Sequence, residues 1–142
     1  MSEDDCWIPA RVKVYYADTD KMGFAYYGNY MKWFEAGRNE WFRNSGKAYR
    51  ELEEDGCFLP VVEAYCRYHR PAFYDDTLIV KTKLTFPSPA RLKFEYRIFR
   101  ENGSGEDDEL LAEGFTIHAC VGQDHKPRKP PILLRRLVNK RE

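Results

Sequence analysis

The chain has 142 residues but only four cysteines, Cys6, Cys57, Cys66 and Cys120, and no two of them form a C-x-x-C pair. No histidine stands at zinc-finger spacing from them, so neither a disulfide scaffold nor a zinc module is indicated. A reduced, cytoplasmic protein is the simplest expectation. No stretch is long and apolar enough to cross a bilayer, and the N-terminal MSEDDCW lacks the cationic and apolar segments of a secretory signal. Net charge is also lacking: 23 basic residues balance 23 acidic ones. That balance argues against a general nucleic-acid binder. There is no internal repeat, no low-complexity linker and no G-x-S-x-G elbow for a serine nucleophile. The three histidines, His69, His118 and His125, complete no metal-ligand spacing, so neither a metal nor a bound cofactor is expected. All three lie outside the segment that carries the carboxylates discussed below, where packing or surface roles are the ordinary ones.

What the chain has in excess is aromatic residues, at 15% of the total. Such side chains fill a core economically or line a pocket or subunit interface. Charge is unevenly spread. Ser2–Asp5 is acidic, whereas the tail from Lys126 carries Lys126, Arg128, Lys129, Arg135, Arg136, Lys140 and Arg141. That tail reads either as a solvated basic helix or as a contribution to holding an anionic ligand. The length fits one domain, residues 1–142, with a core over about 10–125 and a basic extension over 126–142.

The periodicities predict one helix and a run of strands. Arg11–Tyr16 alternates and reads as a strand. A turn-rich segment with two carboxylates, Asp18 and Asp20, spans Ala17–Gly28. Asn29 to about Asn44 has Tyr30, Trp33, Phe34, Gly37 and Trp41 at helical spacing, with Asn29 as a plausible N-cap and Gly46 as a stop. Four further strands follow: Leu59–Tyr68, Thr77–Phe86, Arg91–Arg100 and Glu109–Val121. Turns fall at Pro71–Asp76, at Pro87–Ala90 and at Glu101–Asp108, the last holding Asn102-Gly103. Pro131–Glu142 reads as a short amphipathic helix. Consecutive strands with short connections imply an antiparallel sheet, and a single apolar helix must pack on one face of it. The predicted class is α+β, with the sheet curling around the helix.

The stretch Tyr15–Tyr30, Y-Y-A-D-T-D-K-M-G-F-A-Y-Y-G-N-Y, resembles the signature of the 4-hydroxybenzoyl-CoA thioesterase family of hotdog-fold proteins, which includes the acyl-CoA thioesterases associated with the Tol–Pal system. The helix text F-E-A-G-R-N-E-W-F-R and the strand text P-V-V-E-A-Y-C-R-Y-H-R-P-A-F-Y-D-D-T-L-I-V are similar to the family's central helix and its second and third strands. The resemblance covers roughly residues 10–125. It implies a hotdog fold and hydrolysis of a small-molecule acyl-CoA to a free acid and coenzyme A, with the thioester as substrate rather than cofactor. It also implies a homo-oligomer, a dimer or a dimer of dimers (a homotetramer), with active sites between subunits.

Carried over by position, Asp20 matches the family's catalytic aspartate, acting as nucleophile or as general base for water. Tyr27 matches the residue whose main-chain N–H, at the start of the helix, polarises the thioester carbonyl. Gly23, Tyr26, Gly28 and Tyr30 belong to the same motif and are expected at the substrate. Asp18 is expected to bond to loop backbone. Leu59, Pro60, Val61 and Val62 open a strand expected near the partner's active site. Leu59 replaces a hydroxyl residue found in a relative, which suggests a more apolar acyl pocket. Glu63 follows in the same strand. Glu35 and Arg38 stand three apart and either pair on the helix surface or turn Glu35 toward the pocket. Arg91 and Lys93, with Arg67 and Arg70, are either a basic rim for the coenzyme phosphates or solvent-facing strand charges. Two other functions are compatible with the fold: a non-catalytic acyl-CoA or acyl-carrier-protein binding module, and a hotdog hydratase or dehydratase, which would want a histidine in the active segment. The acyl group, benzoyl-type or aliphatic, is left open.

Overall fold

The computed structural model describes residues 7–46, 49–102 and 108–141. The acidic Ser2–Asp5, Cys6 and Gly103 of the expected Asn-Gly turn lie outside them. Strand β1 is Ile8–Lys13, helix α1 Asn29–Asn44, helix α2 Tyr49–Glu54, strand β2 Val61–Tyr68, β3 Thr77–Ser88, β4 Arg91–Arg100, β5 Glu109–Ala119, and helix α3 Ile132–Arg141. The strands form one antiparallel sheet in the order β1-β3-β4-β5-β2, and α1 lies across it. This is the expected α+β hotdog arrangement.

The aromatic stripe of α1 explains the layering. Trp33, Phe34, Trp41 and Phe42 are buried against the even-numbered residues of β3 and β4, among them Leu78, Val80, Phe94, Tyr96 and Ile98. Phe34 stacks on Tyr96 with ring centroids 4.2 Å apart, and Trp41 meets the Phe94 ring edge-on at 5.9 Å. Gly37 faces the sheet where the helix comes closest. A Cβ there would fall inside contact distance of Thr82 Oγ1 and 2.9 Å from Val80 Cγ1.

Several boundaries differ from the sequence expectation, each for a physical reason. The first strand ends at Lys13, because its pairing with β3 ends where Thr77 begins that strand. Tyr15 and Tyr16 are exposed, and the chain turns there through a 3₁₀ segment, Tyr16–Asp18. The residue capping α1 is Gly28; Asn29 is the first helical residue, and its side-chain amide donates instead to the Asp18 carbonyl at 2.7 Å. Helix α2 was not anticipated. β2 starts at Val61, since Pro60 has no N–H to give a ladder. β3 runs through Pro87, which sits in a register shift between Thr85 and Ser88, the place where a sheet tolerates proline. The largest difference is topological. β2 does not pair with the strand that follows it but crosses to β5, at the far edge of the sheet.

In α3, Leu134 and Val138 are buried and Arg135 donates to the Pro89 carbonyl at 2.6 Å. The tail is thus an amphipathic helix seated on the fold.

Candidate active site

The Asp20 loop is a miniature hairpin. Thr19 bridges Ala25, and Phe24 bridges Phe73 of the turn before β3. The Asp20 N–H donates to the Phe24 carbonyl at 2.8 Å, and the Gly23 N–H closes the turn on the Asp20 carbonyl at 3.0 Å. Gly23 adopts φ +87, a conformation that L side chains avoid, although nothing lies within 4 Å of where a Cβ would stand. The glycine is therefore required by backbone shape and not by space. One carboxylate oxygen of Asp20 accepts the Met22 N–H at 2.9 Å, an Asx-turn that orients the side chain.

Asp18 holds this hairpin to the helix. Its carboxylate accepts the Tyr15 N–H at 2.9 Å and the Lys32 ammonium at 2.8 Å. Its carbonyl accepts both the Tyr26 N–H at 2.8 Å and the Asn29 amide. Burial pushes the Asp18 pKa up, but the Lys32 ion pair and the Tyr15 N–H outweigh it and leave the group below the ordinary carboxylate value. The expected backbone-bonding role of Asp18 is what the structure has.

Asp20, Tyr27 and Tyr30 line one open cleft of about 270 Å³, together with Met22, Phe24, Ala25, Tyr68, His69, Arg70 and Pro71. Tyr68, at the end of β2, donates its hydroxyl to the Tyr27 carbonyl at 3.2 Å and packs edge-on against Tyr30 at 4.8 Å. Burial pushes the Tyr68 hydroxyl well above the ordinary tyrosine value, so it stays a donor. Among the described residues no acceptor is paired with the Tyr27 N–H, at the residue before the helix cap. A carboxylate residue, Asp20, and the residue before the cap of α1, Tyr27, thus line one cleft. That combination can attack or hydrate a carbonyl while polarising its oxygen.

Other expected residues lie apart from this cleft. Tyr26 packs on the Tyr27 ring at 4.7 Å, and Gly28 lies against the Tyr26 side chain. Leu59 lines a second cavity of about 150 Å³ with Glu35, Arg38, Asn39, Phe42, Phe94 and His118. Among the described residues Glu35 and Arg38 form no ion pair; Arg38 Nη1 donates to the Tyr96 hydroxyl at 2.9 Å instead. The Pro60 carbonyl accepts the Ala119 N–H, and Val61 and Val62 are 48% and 52% exposed at the sheet edge. Arg91 begins β4, and the Lys93 ammonium lies over the Phe115 ring at 4.6 Å, so neither joins the cleft wall. Arg70 does, while bonded to Glu109 at 2.9 Å.

Sequence reasoning missed Tyr68 and His69. His69, expected in a packing or surface role beside a strand and outside the Asp20 loop, is brought to the cleft wall by the end of β2. Its Nε2 is bonded to Glu113 at 2.8 Å across the sheet. Only the pairing of β2 with β5, invisible in local pattern, reveals this.

A model of the thioesterase-like superfamily matches residues 14–137. The acyl-CoA thioester hydrolase YbgC of Escherichia coli is 30% identical over 127 residues, covering 89% of this chain and 90% of that protein. Among solved structures, a DHNA-CoA thioesterase from Staphylococcus aureus superposes with a TM-score of 0.83 at 31% identity, covering 94% of this chain and 89% of that one. A 4-hydroxybenzoyl CoA thioesterase in complex with 4-hydroxybenzoyl CoA has the same fold, with a TM-score of 0.83 at 20% identity over 94% of this chain and 99% of that one. With the family model matching most of the chain and the Escherichia coli relative aligned over nearly all of it, the chain belongs to the thioesterase-like superfamily and carries its hotdog fold.

Proposed function

We propose that the protein hydrolyses an acyl-CoA thioester to a free acid and coenzyme A, with Asp20 as the catalytic carboxylate and the Tyr27 N–H as the donor to the thioester oxygen. The chain is a hydrolase: its relatives are named as acyl-CoA thioester hydrolases and align over most of its length. The observation that supports the reading is the shared cleft: Asp20 and Tyr27 both line it, beside the start of α1. Asp20 serves either as nucleophile, giving a mixed anhydride that water then opens, or as base for a water that attacks directly. Either route expels the coenzyme thiolate. The substrate is the only coenzyme required.

The same reading makes the functional unit a homo-oligomer. β2 is an edge strand with exposed Val61, Val62, Tyr65 and Tyr68, an unpaired ladder of the kind proteins rarely leave open. A second copy pairing antiparallel about the middle of β2 sets Val61 of one copy beside Tyr68 of the other. That contact joins the Leu59–Val62 segment to the partner's Asp20 cleft. Among the described residues no helix is long and apolar enough to cross a membrane. The free thiols Cys57, Cys66 and Cys120 suit a reducing cytoplasm.

The test is release of free thiol from acetyl-, hexanoyl-, palmitoyl- and 4-hydroxybenzoyl-CoA by wild type and by Asp20→Asn, after both are shown to assemble alike. Turnover on at least one thioester, with a loss of about 10²-fold or more in the variant, is expected. Equal rates for the two proteins, or no hydrolysis of any member, would refute the reading. A binding module would tolerate the substitution without change in ligand affinity.

A further inference from the structure

A chain of hydrogen bonds runs through the core from α1 to the start of β2. Arg38 Nη1 donates to the Tyr96 hydroxyl at 2.9 Å, and Tyr96 meets Thr116 Oγ1 at 2.6 Å. Thr116 meets His118 Nε2 at 2.8 Å, and His118 Nδ1 meets the Leu59 carbonyl at 2.9 Å. Tyr96, Thr116 and His118 are all buried. The direction of each bond follows from its ends. A guanidinium only donates and a carbonyl only accepts. His118 must therefore carry its proton on Nδ1, leaving Nε2 to accept from Thr116. Thr116 in turn accepts from Tyr96, which accepts from Arg38. With a neutral imidazole every group is used and no other assignment satisfies both ends. Burial holds His118 neutral, as this scheme needs.

A buried polar chain costs desolvation that an apolar core would avoid. This one ends on an irregular piece of backbone. Leu59 precedes Pro60, which has no N–H, and the ladder shifts register between Val61 and Glu63. Bulges of this kind re-aim side chains at sheet edges. Backbone bonds flank this point, between Phe58 and Val121 and from the Ala119 N–H to the Pro60 carbonyl, and the His118 side chain holds the Leu59 carbonyl between them. Both His118 and Leu59 also line the cavity of about 150 Å³ beside α1.

We infer that His118 is a positioning residue: through its bond to the Leu59 carbonyl it sets the course of Leu59–Val62, and so the wall that this segment offers the substrate's acyl group. The inference rests on the proposed reading that this segment borders the acyl group in the assembled enzyme. His118 does not touch the reacting atoms. Its effect falls on which acyl groups fit.

The test uses Thr116→Val, which keeps shape but cannot donate to His118, and Thr116→Ser, which restores the donor. Imidazole ¹⁵N spectra of the wild type near neutral pH should show a neutral Nδ1–H tautomer; the other tautomer or an imidazolium would overturn the scheme. Amide exchange over residues 58–63, measured relative to β3 and β4, should quicken about tenfold in Thr116→Val, the scale of one lost hydrogen bond, and return in Thr116→Ser. Unchanged exchange in Thr116→Val would overturn the anchor. On the acyl-CoA panel, the ratios of kcat/KM between acyl groups should change in Thr116→Val and revert in Thr116→Ser. Ratios identical to wild type, with only Tm lowered, would make the chain merely structural and sink the inference. No turnover by the wild type would bring down the thioesterase reading and the acyl wall with it, whereas the exchange result decides the anchor on its own.

Discussion

The Asp18 carboxylate stands 2.8 Å from the Lys32 ammonium and so ties the loop that carries Asp20 to the first turns of α1. Asp18 is 6% exposed, whereas the Lys32 side chain is largely in solvent. The two ends of the pair are therefore unequal. Asp18→Ala leaves the Tyr15 N–H and Lys32 without their acceptor and should cost about 1–3 kcal/mol. Lys32→Met should cost less than 1 kcal/mol, as for an exposed ion-pair partner. Urea unfolding, read as a midpoint shift at constant slope, checks both. Asp18→Ala should also slow turnover, since it removes the side-chain ties to Tyr15 and Lys32 that fix the Asp20 loop on α1.

Gly23 separates conformational cost from steric cost. Its φ is +87 and the space around it is empty. Gly23→Ala should destabilise by about 1–2 kcal/mol through backbone strain alone. Gly23→Asn should cost less, because asparagine visits that region more readily. Equal costs for the two would show that the loop relaxes to another shape. Turnover should fall in the same order, because the turn aims Asp20.

Gly37 is the opposite case. Here a Cβ collides with Thr82 Oγ1 and crowds Val80. Gly37→Ala should cost about 1–3 kcal/mol by overpacking. Thr82 Oγ1 is buried with no hydrogen-bond partner among the described residues, so removing it sacrifices little. Thr82→Ala combined with Gly37→Ala should recover most of the loss. A double-mutant cycle reads this as a coupling of about 1 kcal/mol or more.

His118 makes stability depend on pH. Burial lowers its pKa from 6.5 to about 4, helped by the Arg38 charge and opposed by the Leu59 carbonyl. Tyr96 from β4 and Glu35 and Arg38 from α1 are the other ionisable groups around it. Between about pH 4 and 6.5 the unfolded chain binds more protons than the folded one, so stability rises with pH across that window. Acidifying from neutrality to below pH 4 should remove about 3 kcal/mol through this group. Denaturant midpoints against pH, compared with His118→Asn, should show a shallower slope in the variant over that window. Parallel curves would count against a neutral buried imidazole.

Much of this was written locally in the sequence. The aromatic stripe of α1, the alternation of β3 and β4, and the turn-rich motif with its two aspartates are short-range patterns, since burial repeats every 3.6 residues in a helix and every two in a strand. The expected bonding of Asp18 to loop backbone was legible there too. Three features were decided only by tertiary structure. β2 pairs with β5 rather than with its neighbour in the chain. Tyr68 and His69 reach the Asp20 cleft from that strand's end. His118 finds its acceptor at Leu59, 59 residues away. Local periodicity states which face of an element is buried but not which element covers it. That choice belongs to the whole chain, where strand crossing and the closure of polar groups in the core must be satisfied together.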